Sequence, residues 1–266
     1  MGIFRDAVAA EANARVVYAV RAMQPVDVLT SHTMEFVTGA LTGSGLRVLE
    51  VGAGSGHLAR AMMDAGHIVV AVDASEKAVA EARGLGVDAR HADWHDFDDG
   101  PFDAILFTRS LHHIDRLQQA IDRCWPMLTH DGRVLLEEVS FADVDPPTAR
   151  WLGTTMCELA AQGIIDVPPK SFLQTLLASP DAHAWWHDHH GHMHQAQDIR
   201  TACRRGGRIV DDHAVVYLYR YFAGLTPAGE PGVALLGKLK RDEQSRIDAG
   251  EIRAVGRRLV IEHKEK

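Results

Sequence analysis

The chain has 266 residues, 46% of them hydrophobic, which is enough to bury one substantial core. A net charge of −8 argues against nucleic acid as the default partner. No run of about 18 or more apolar residues occurs, so no membrane span is expected. Cys124, Cys157 and Cys203 are an odd number of thiols at wide spacing, and the first twenty residues lack the apolar core of a signal peptide. Both features predict reduced cysteines in a cytoplasmic protein.

Residues 4–24 and 27–42 carry helical apolar spacing, separated by Pro25, with Asp27 as a capping residue for the second helix. The turn Thr-Gly-Ser-Gly at 42–45 ends this helical cap. Val48, Leu49 and Val51 then read as a buried strand interrupted by an acid, Glu50. Gly52, Gly54 and Gly56 follow at alternate positions and lead into a helix at 57–65. A glycine-rich turn between strand and helix lets backbone approach a ligand closely. A dinucleotide fingerprint would need glycine at 57, where this chain has His57.

Residues 67–72 form strand two, ended by Asp73, and Ser75 caps a helix that runs to Arg83. Residues 87–92 are a weak third strand, followed by Asp93 and Trp94. Strand four spans 102–108 and runs into Arg109-Ser-Leu-His-His-Ile-Asp. A helix over 114–128 and a Thr-His-Asp-Gly turn precede strand five at 133–139. Glu137 and Glu138 lie at its carboxyl end, where ligands bind in open α/β sheets. Alternation sends their side chains to opposite faces, so at most one reaches a pocket, and Glu138 is the choice.

Residues 143–207 read as a helical insertion, with helices over 147–162, 171–178 and 195–205. Asp145-Pro-Pro-Thr reads as a turn into the first of these, with proline near the helix start. Five histidines fall between 187 and 194. On an extended segment, i to i+2 spacing would put two imidazoles on one side, but no cysteine pair or HExxH pattern accompanies them, and no metal is assigned. His192 and His194 are the pocket candidates, because they precede the helix that returns to the sheet. Residues 208–222 read as strand six, its tyrosines packing on the sheet, 232–249 as a charged helix and 252–263 as strand seven.

The order Glu-x-Gly-x-Gly-x-Gly at 50–56, an acid ending strand two and the Leu-His-His segment after strand four resemble the class I S-adenosylmethionine-dependent methyltransferases of the small-molecule type. The resemblance covers residues 46–140 well and 208–263 loosely. It implies a seven-stranded, mostly parallel Rossmann-like sheet of order 3-2-1-4-5-7-6 with strand seven antiparallel. The domain layout is then a cap at 1–45, a cofactor-binding core at 46–142, an acceptor lid at 143–207 and the last two strands at 208–266.

The resemblance also implies S-adenosyl-L-methionine as cofactor, held by Glu50, Gly52, Ala53, Gly54, Gly56, Asp73, Ala74, Asp93, Trp94 and Arg109. Asp73 would accept from both ribose hydroxyls, Asp93 from the adenine amino group, and Trp94 would pack on the adenine. The implied activity is methyl transfer to O, N or C of a small molecule in specialised metabolism, by a monomer or homodimer. An oxygen or ammonium acceptor needs a base; the candidates are His113, Glu138, His192 and His194, whereas a neutral amine needs positioning alone. His113 packing against a neighbouring helix is the alternative to its catalytic role. A catalytically silent cofactor-binding scaffold, or a methyltransferase acting on RNA or protein, are the competing functions.

Overall fold

The computed structural model describes residues 22–264. The helix expected over 4–24 therefore lies almost wholly outside the described residues, while 22–24 are non-helical. Elements follow in the order α1 (Pro25–Ala40), β1 (Arg47–Val51), α2 (His57–Asp64), β2 (Ile68–Asp73), α3 (Glu76–Gly84), β3 (Asp88–His91) and β4 (Phe102–Thr108). Next come α4 (Leu117–Asp122), α5 (Cys124–Met127), β5 (Leu128–Val139), α6 (Pro146–Ala161), α7 (Phe172–Leu177), α8 (Ala182–His190) and α9 (Ala196–Gly206). The chain closes with β6 (Gly207–Val215), α10 (Glu230–Asp248) and β7 (Gly256–His263). The strands form one sheet of order β3-β2-β1-β4-β5-β7-β6. β1 to β5 pair in parallel, and β7 runs antiparallel to both β5 and β6.

Alternation along the strands builds two cores. Leu49, Val51, Val72, Ile105, Phe107 and Leu136 face one side, against Ile121 and Cys124 from the α4 and α5 region and Ile199 of α9. Val48, Val69, Ala71, Leu106 and Leu135 face the other side, against Phe36 and Val37 of α1 and Leu58 and Met62 of α2. Strands buried on both faces read as near-continuous apolar runs, which is why strands one, two and four were legible. A third core lies beyond the carboxyl end of β5. It joins Phe141, Trp151 and Met156 to Trp185, Trp186, Leu218, Tyr219 and Phe222, with Leu236 of α10.

Several sequence expectations need correction. The run read as strand six leaves the sheet at Val215 and closes into a 3-10 turn at Leu218–Phe222. Its tyrosines therefore pack in the third core and not on the sheet. Strand seven begins at Gly256, not 252. The helix expected over 114–128 is two short ones, α4 and α5, preceded by a 3-10 turn at Leu111–His113. β5 begins at Leu128, with a register shift on β4 where a free turn was expected. The histidine-rich stretch is helical through His190, because Asp181 caps α8 by accepting from His183 N at 2.9 Å and Ala184 N at 3.1 Å. α1 begins at Pro25 with Gln24 as its N-cap; Asp27, at the third helical position, accepts from Gln24 N at 2.6 Å. Ser75 caps α3 as expected, and the turn at Asp145 leads into α6 with proline at its start as expected, Asp145 itself being the cap.

Candidate active site

A cleft of about 400 Å³ opens at the carboxyl ends of β1, β2, β3 and β4. It straddles β1 and β4, which are adjacent in the sheet while their following helices diverge to opposite faces. That is the switch point where open α/β sheets bind ligands. Gly52, Asp73, Ala74, Asp93, Trp94, Arg109 and His113 all line it.

The loop leaving β1 is bare for two different reasons. A Cβ at Gly52 would stand 2.4 Å from Ser110 Cβ, so the loops after β1 and β4 meet only because residue 52 has no side chain. Ser110 Oγ completes the join by donating to Val51 O at 2.6 Å. At Gly54, φ is +55° and a Cβ would face open space, leaving backbone exposed to a ligand. Ala53 N donates to Val72 O at 3.3 Å, and Gly56 packs beneath the loop on Ala82 of α3. Of these loop residues only Gly52 lines the cleft; Ala53, Gly54 and Gly56 do not.

Asp73 ends β2 with both oxygens engaged: Oδ2 accepts from Gly54 N at 2.8 Å and Oδ1 from Ser75 N at 2.8 Å. Its carboxylate is thereby pinned at the rim beside the glycine loop. Asp93 Oδ1 accepts from His95 N at 2.7 Å. Trp94 is buried, its Nε1 donating to Ala120 O at 3.0 Å and its ring edge-on to Phe107 at 5.5 Å. It is a fixed wall of the cleft.

Glu50 lies under the loop, 2% exposed. Thr108 Oγ1 donates to its Oε1 at 3.2 Å, whereas Oε2 has no partner among the described residues. Burial pushes this carboxyl up to about 7, against the pull of Arg109 and the Thr108 hydrogen bond. A buried orphan oxygen next to bare backbone fits a ligand that brings a cationic N–H donor.

Glu137 and Glu138 take opposite faces of β5, as alternation requires. Glu137 is enclosed by Arg109 Nη1 at 3.0 Å, Arg220 Nη2 at 2.9 Å, Arg258 Nη2 at 2.7 Å and Thr33 Oγ1 at 2.8 Å. Despite burial, these guanidiniums hold its carboxyl down at about 2. Glu138 accepts from Ser110 N at 3.1 Å and Leu111 N at 2.8 Å through Oε1. Its Oε2 lies 2.5 Å from His112 Nδ1. A carboxylate fixed by two amides and bonded to Nδ1–H leaves the imidazole Nε2 as a lone-pair acceptor. His112 Nε2 has no hydrogen-bond partner among the described residues. The arrangement can therefore accept a proton.

The other expected bases stand around this pair. His113 lies on the cleft wall, its ring centroid 4.1 Å from that of His112. Burial and the neighbouring His112 hold it below the ordinary histidine range. His194 Nε2 bonds Ile114 O at 3.0 Å and braces the loop after β4. His192 is exposed at the end of the insertion. The structure thus gathers Glu138 and His113 and leaves His192 and His194 at the periphery. Sequence reasoning passed over His112, Tyr217 and Arg220. Only the second histidine of the Leu-His-His segment was chosen, and nothing in one dimension ties the first to Glu138.

A methyltransferase-domain family matches residues 49–136. A ubiquinone biosynthesis O-methyltransferase of Xylella fastidiosa is 26% identical over 208 residues, 73% of this chain and 81% of that protein. An uncharacterised methyltransferase of Staphylococcus carnosus is 37% identical over 100 residues, 36% of this chain and 48% of that one. The first match thus reaches across most of its relative, and the second across about half. These likenesses place a methyltransferase domain at residues 49–136 and support a class I S-adenosylmethionine-dependent methyltransferase. The crystal structure of an S-adenosylmethionine-dependent methyltransferase from Mesorhizobium loti shares the fold, with a TM-score of 0.53 at 15% identity over 86% of this chain and 95% of that one.

The cofactor of this methyltransferase is S-adenosylmethionine. The residues fit it: Gly52 and the rim carboxylate of Asp73 line the cleft, and the open backbone at Gly54 and the unpartnered Oε2 of Glu50 lie beside it, together supplying bare backbone, a partner for an amino group and acceptors for hydroxyls. Among the described residues, no helix is long and apolar enough to cross a membrane.

Proposed function

We infer that this methyltransferase alkylates an oxygen of a small-molecule acceptor, with His112 as the base and Glu138 as its positioning residue. The single observation that carries this is the Glu138 contact to His112 Nδ1, anchored by two backbone amides of the loop that borders the cofactor cleft. The Xylella relative is named for O-methylation, which favours oxygen over nitrogen or carbon. The aromatic cluster of Phe141, Trp186, His190 and Tyr221 beside His112 favours a compact, flat acceptor over RNA or protein. We assign Gly52, Gly54, Asp73, Asp93 and Trp94 to the cofactor side of the cleft and propose a role in specialised metabolism.

S-adenosylmethionine supplies a methyl group on a cationic sulfur that leaves as a neutral thioether. The protein holds the acceptor hydroxyl so that its oxygen meets that carbon in line, which contributes several kcal/mol through orientation. The hydroxyl proton passes to His112 Nε2. Glu138 stabilises the imidazolium that forms, and the proton then leaves to solvent.

Incubation of the purified protein with S-adenosylmethionine and a panel of phenols, catechols and amines, followed by mass spectrometry, tests the activity. We expect a gain of one methyl on a hydroxyl compound. His112→Gln should lower kcat by about 10²–10⁴-fold and flatten the acidic limb of its pH profile, with binding of S-adenosylhomocysteine unchanged. Wild-type turnover that survives His112→Gln intact would transfer the base role to His113. A protein that binds the cofactor and methylates nothing would support the scaffold reading.

A further inference from the structure

The Glu137 cluster carries more positive charge than its own partners require. Three guanidiniums, from Arg109, Arg220 and Arg258, share the single Glu137 carboxylate, leaving two cations in excess. The imidazole inside the cluster adds nothing to either sign, because burial and the adjacent arginines hold His32 neutral, down at about 3. Glu138 is committed to His112 and two amides, Glu50 faces Thr108, and Glu243, the other carboxylate near Arg220, is committed to the amides of Tyr217, Leu218 and Tyr219.

Arg220 is the least satisfied member. Its side chain is 5% exposed. Nη2 reaches Glu137 and Thr33, at 2.9 and 3.2 Å, while Nε and Nη1 have no partner among the described residues. An unpartnered guanidinium N–H out of water is costly, and the usual remedy is an anion. Arg109 adjoins it, since both bond Glu137 Oε1. Arg109 also forms cleft wall, is about one-third exposed, and sits at φ +63°, a left-handed conformation unfavourable for a residue with a side chain. The guanidinium carbon of Arg220 lies 5.6 Å from the centres of both the Tyr217 and the Tyr219 rings. The Tyr217 hydroxyl makes no hydrogen bond to a described residue, whereas that of Tyr219 is taken by His32 Nδ1 at 2.8 Å.

We propose that Arg220 and Arg109, with the Tyr217 hydroxyl, form a carboxylate-binding site, and that the methyl acceptor is an aromatic acid. Guanidinium groups pair with a planar carboxylate through parallel N–H bonds that a neutral amide cannot replace. Such a site would fix one end of the acceptor and present its hydroxyl toward His112. This rests on the methyl-transfer reading above. The same chemistry has a second source, the amino-acid carboxylate of the cofactor, and the test separates the two.

Saturation-transfer NMR on the full-length protein saturated with S-adenosylhomocysteine would use benzoate as the probe and benzamide as its neutral counterpart. Benzoate should bind and benzamide should bind about tenfold more weakly. Arg220→Lys, which keeps the charge opposite Glu137, and Arg109→Gln, at the partly exposed wall, should each weaken benzoate by about tenfold. If affinity for S-adenosylhomocysteine stays unchanged in both, the carboxylate belongs to the acceptor. If that affinity falls about tenfold while benzoate binding does not change, the site serves the cofactor's carboxylate and the acceptor assignment is overturned. Equal binding of benzoate and benzamide by the wild type, or variants that move neither affinity, would overturn the site altogether. Wild-type protein that fails to bind S-adenosylhomocysteine would instead sink the underlying reading, so the two failures are told apart.

Discussion

Glu50 shows how one buried atom couples the cleft to pH. Its carboxyl is protonated up to about 7 in the folded protein, against an ordinary 4.5, because it is out of water. A cationic amino group placed against Oε2 would favour the charged form and draw that value down. Below about pH 7, cofactor binding should therefore expel a proton, and affinity should rise as pH climbs through 7. Calorimetry at about pH 6.5 in two buffers of different ionisation enthalpy measures the released proton, and Glu50→Gln should abolish it. Asp73 belongs to the same scale. Removing its carboxylate by Asp73→Ala should cost about 1.5–3 kcal/mol of cofactor affinity, the size of hydrogen bonds to a charged group. Unchanged affinity on titration would contradict its assignment to the ribose.

Among the elements, the 3-10 turn at Leu218–Phe222 has the most to explain. Tyr217, Val216 and the turn are apolar enough to continue β6, yet the chain bends away after Val215. Glu243 of α10 is the cause. It is fully buried and accepts from Tyr217 N and Leu218 N through Oε1, both at 2.8 Å, and from Tyr219 N through Oε2 at 2.7 Å. Three backbone donors that would otherwise seek a neighbouring strand are satisfied by one carboxylate, which places Tyr217, Arg220 and Tyr221 over the end of β5. Glu243→Ala should lower stability by about 2–4 kcal/mol in denaturant unfolding, as expected for unsatisfied buried amides. It should weaken acceptor binding far more than cofactor binding, because the glycine loop lies elsewhere. Equal losses in both would show that the turn does not serve the acceptor side alone.

At the scale of the molecule, the third core beyond the sheet holds two buried histidines, His190 among Phe141, Trp185 and Trp186, and His32 against Tyr219. His32 and His190 are held at about 3 and about 4, below the ordinary 6.5, chiefly by burial. The unfolded chain protonates both near 6.5, so it binds more protons than the folded one as pH falls below that value. Their contribution to stability is complete above 6.5 and is lost as pH drops toward 4. Thermal unfolding followed from pH 7 to pH 4 should show a falling midpoint, and His190→Phe, which keeps the stack on Phe141 at 4.9 Å, should reduce the slope. Glu50 opposes this trend, since its raised value makes the folded state the better proton binder between 4.5 and about 7.

Local pattern alone determined the parallel strands and the glycine loop, while the strand order came from the resemblance to the methyltransferases. The apolar strands, the alternate glycines and the acid at 73 are short-range signals, each dictated by backbone sterics or by burial on two faces. The region beyond the carboxyl end of β5 was not legible in this way. Helical capping by Asp181 turned a histidine run into α8, and Glu243, more than twenty residues distant in sequence, turned a strand-like segment into a 3-10 bend. Glu138 and Glu137 could be sent to opposite faces by alternation, but what each face held depended on partners between 26 and 121 positions away in sequence. Buried charge must find its counter-charge wherever the fold delivers it. The pairing of His112 with Glu138, and the surplus of arginine around Glu137, were therefore decided only when the chain closed on itself in three dimensions.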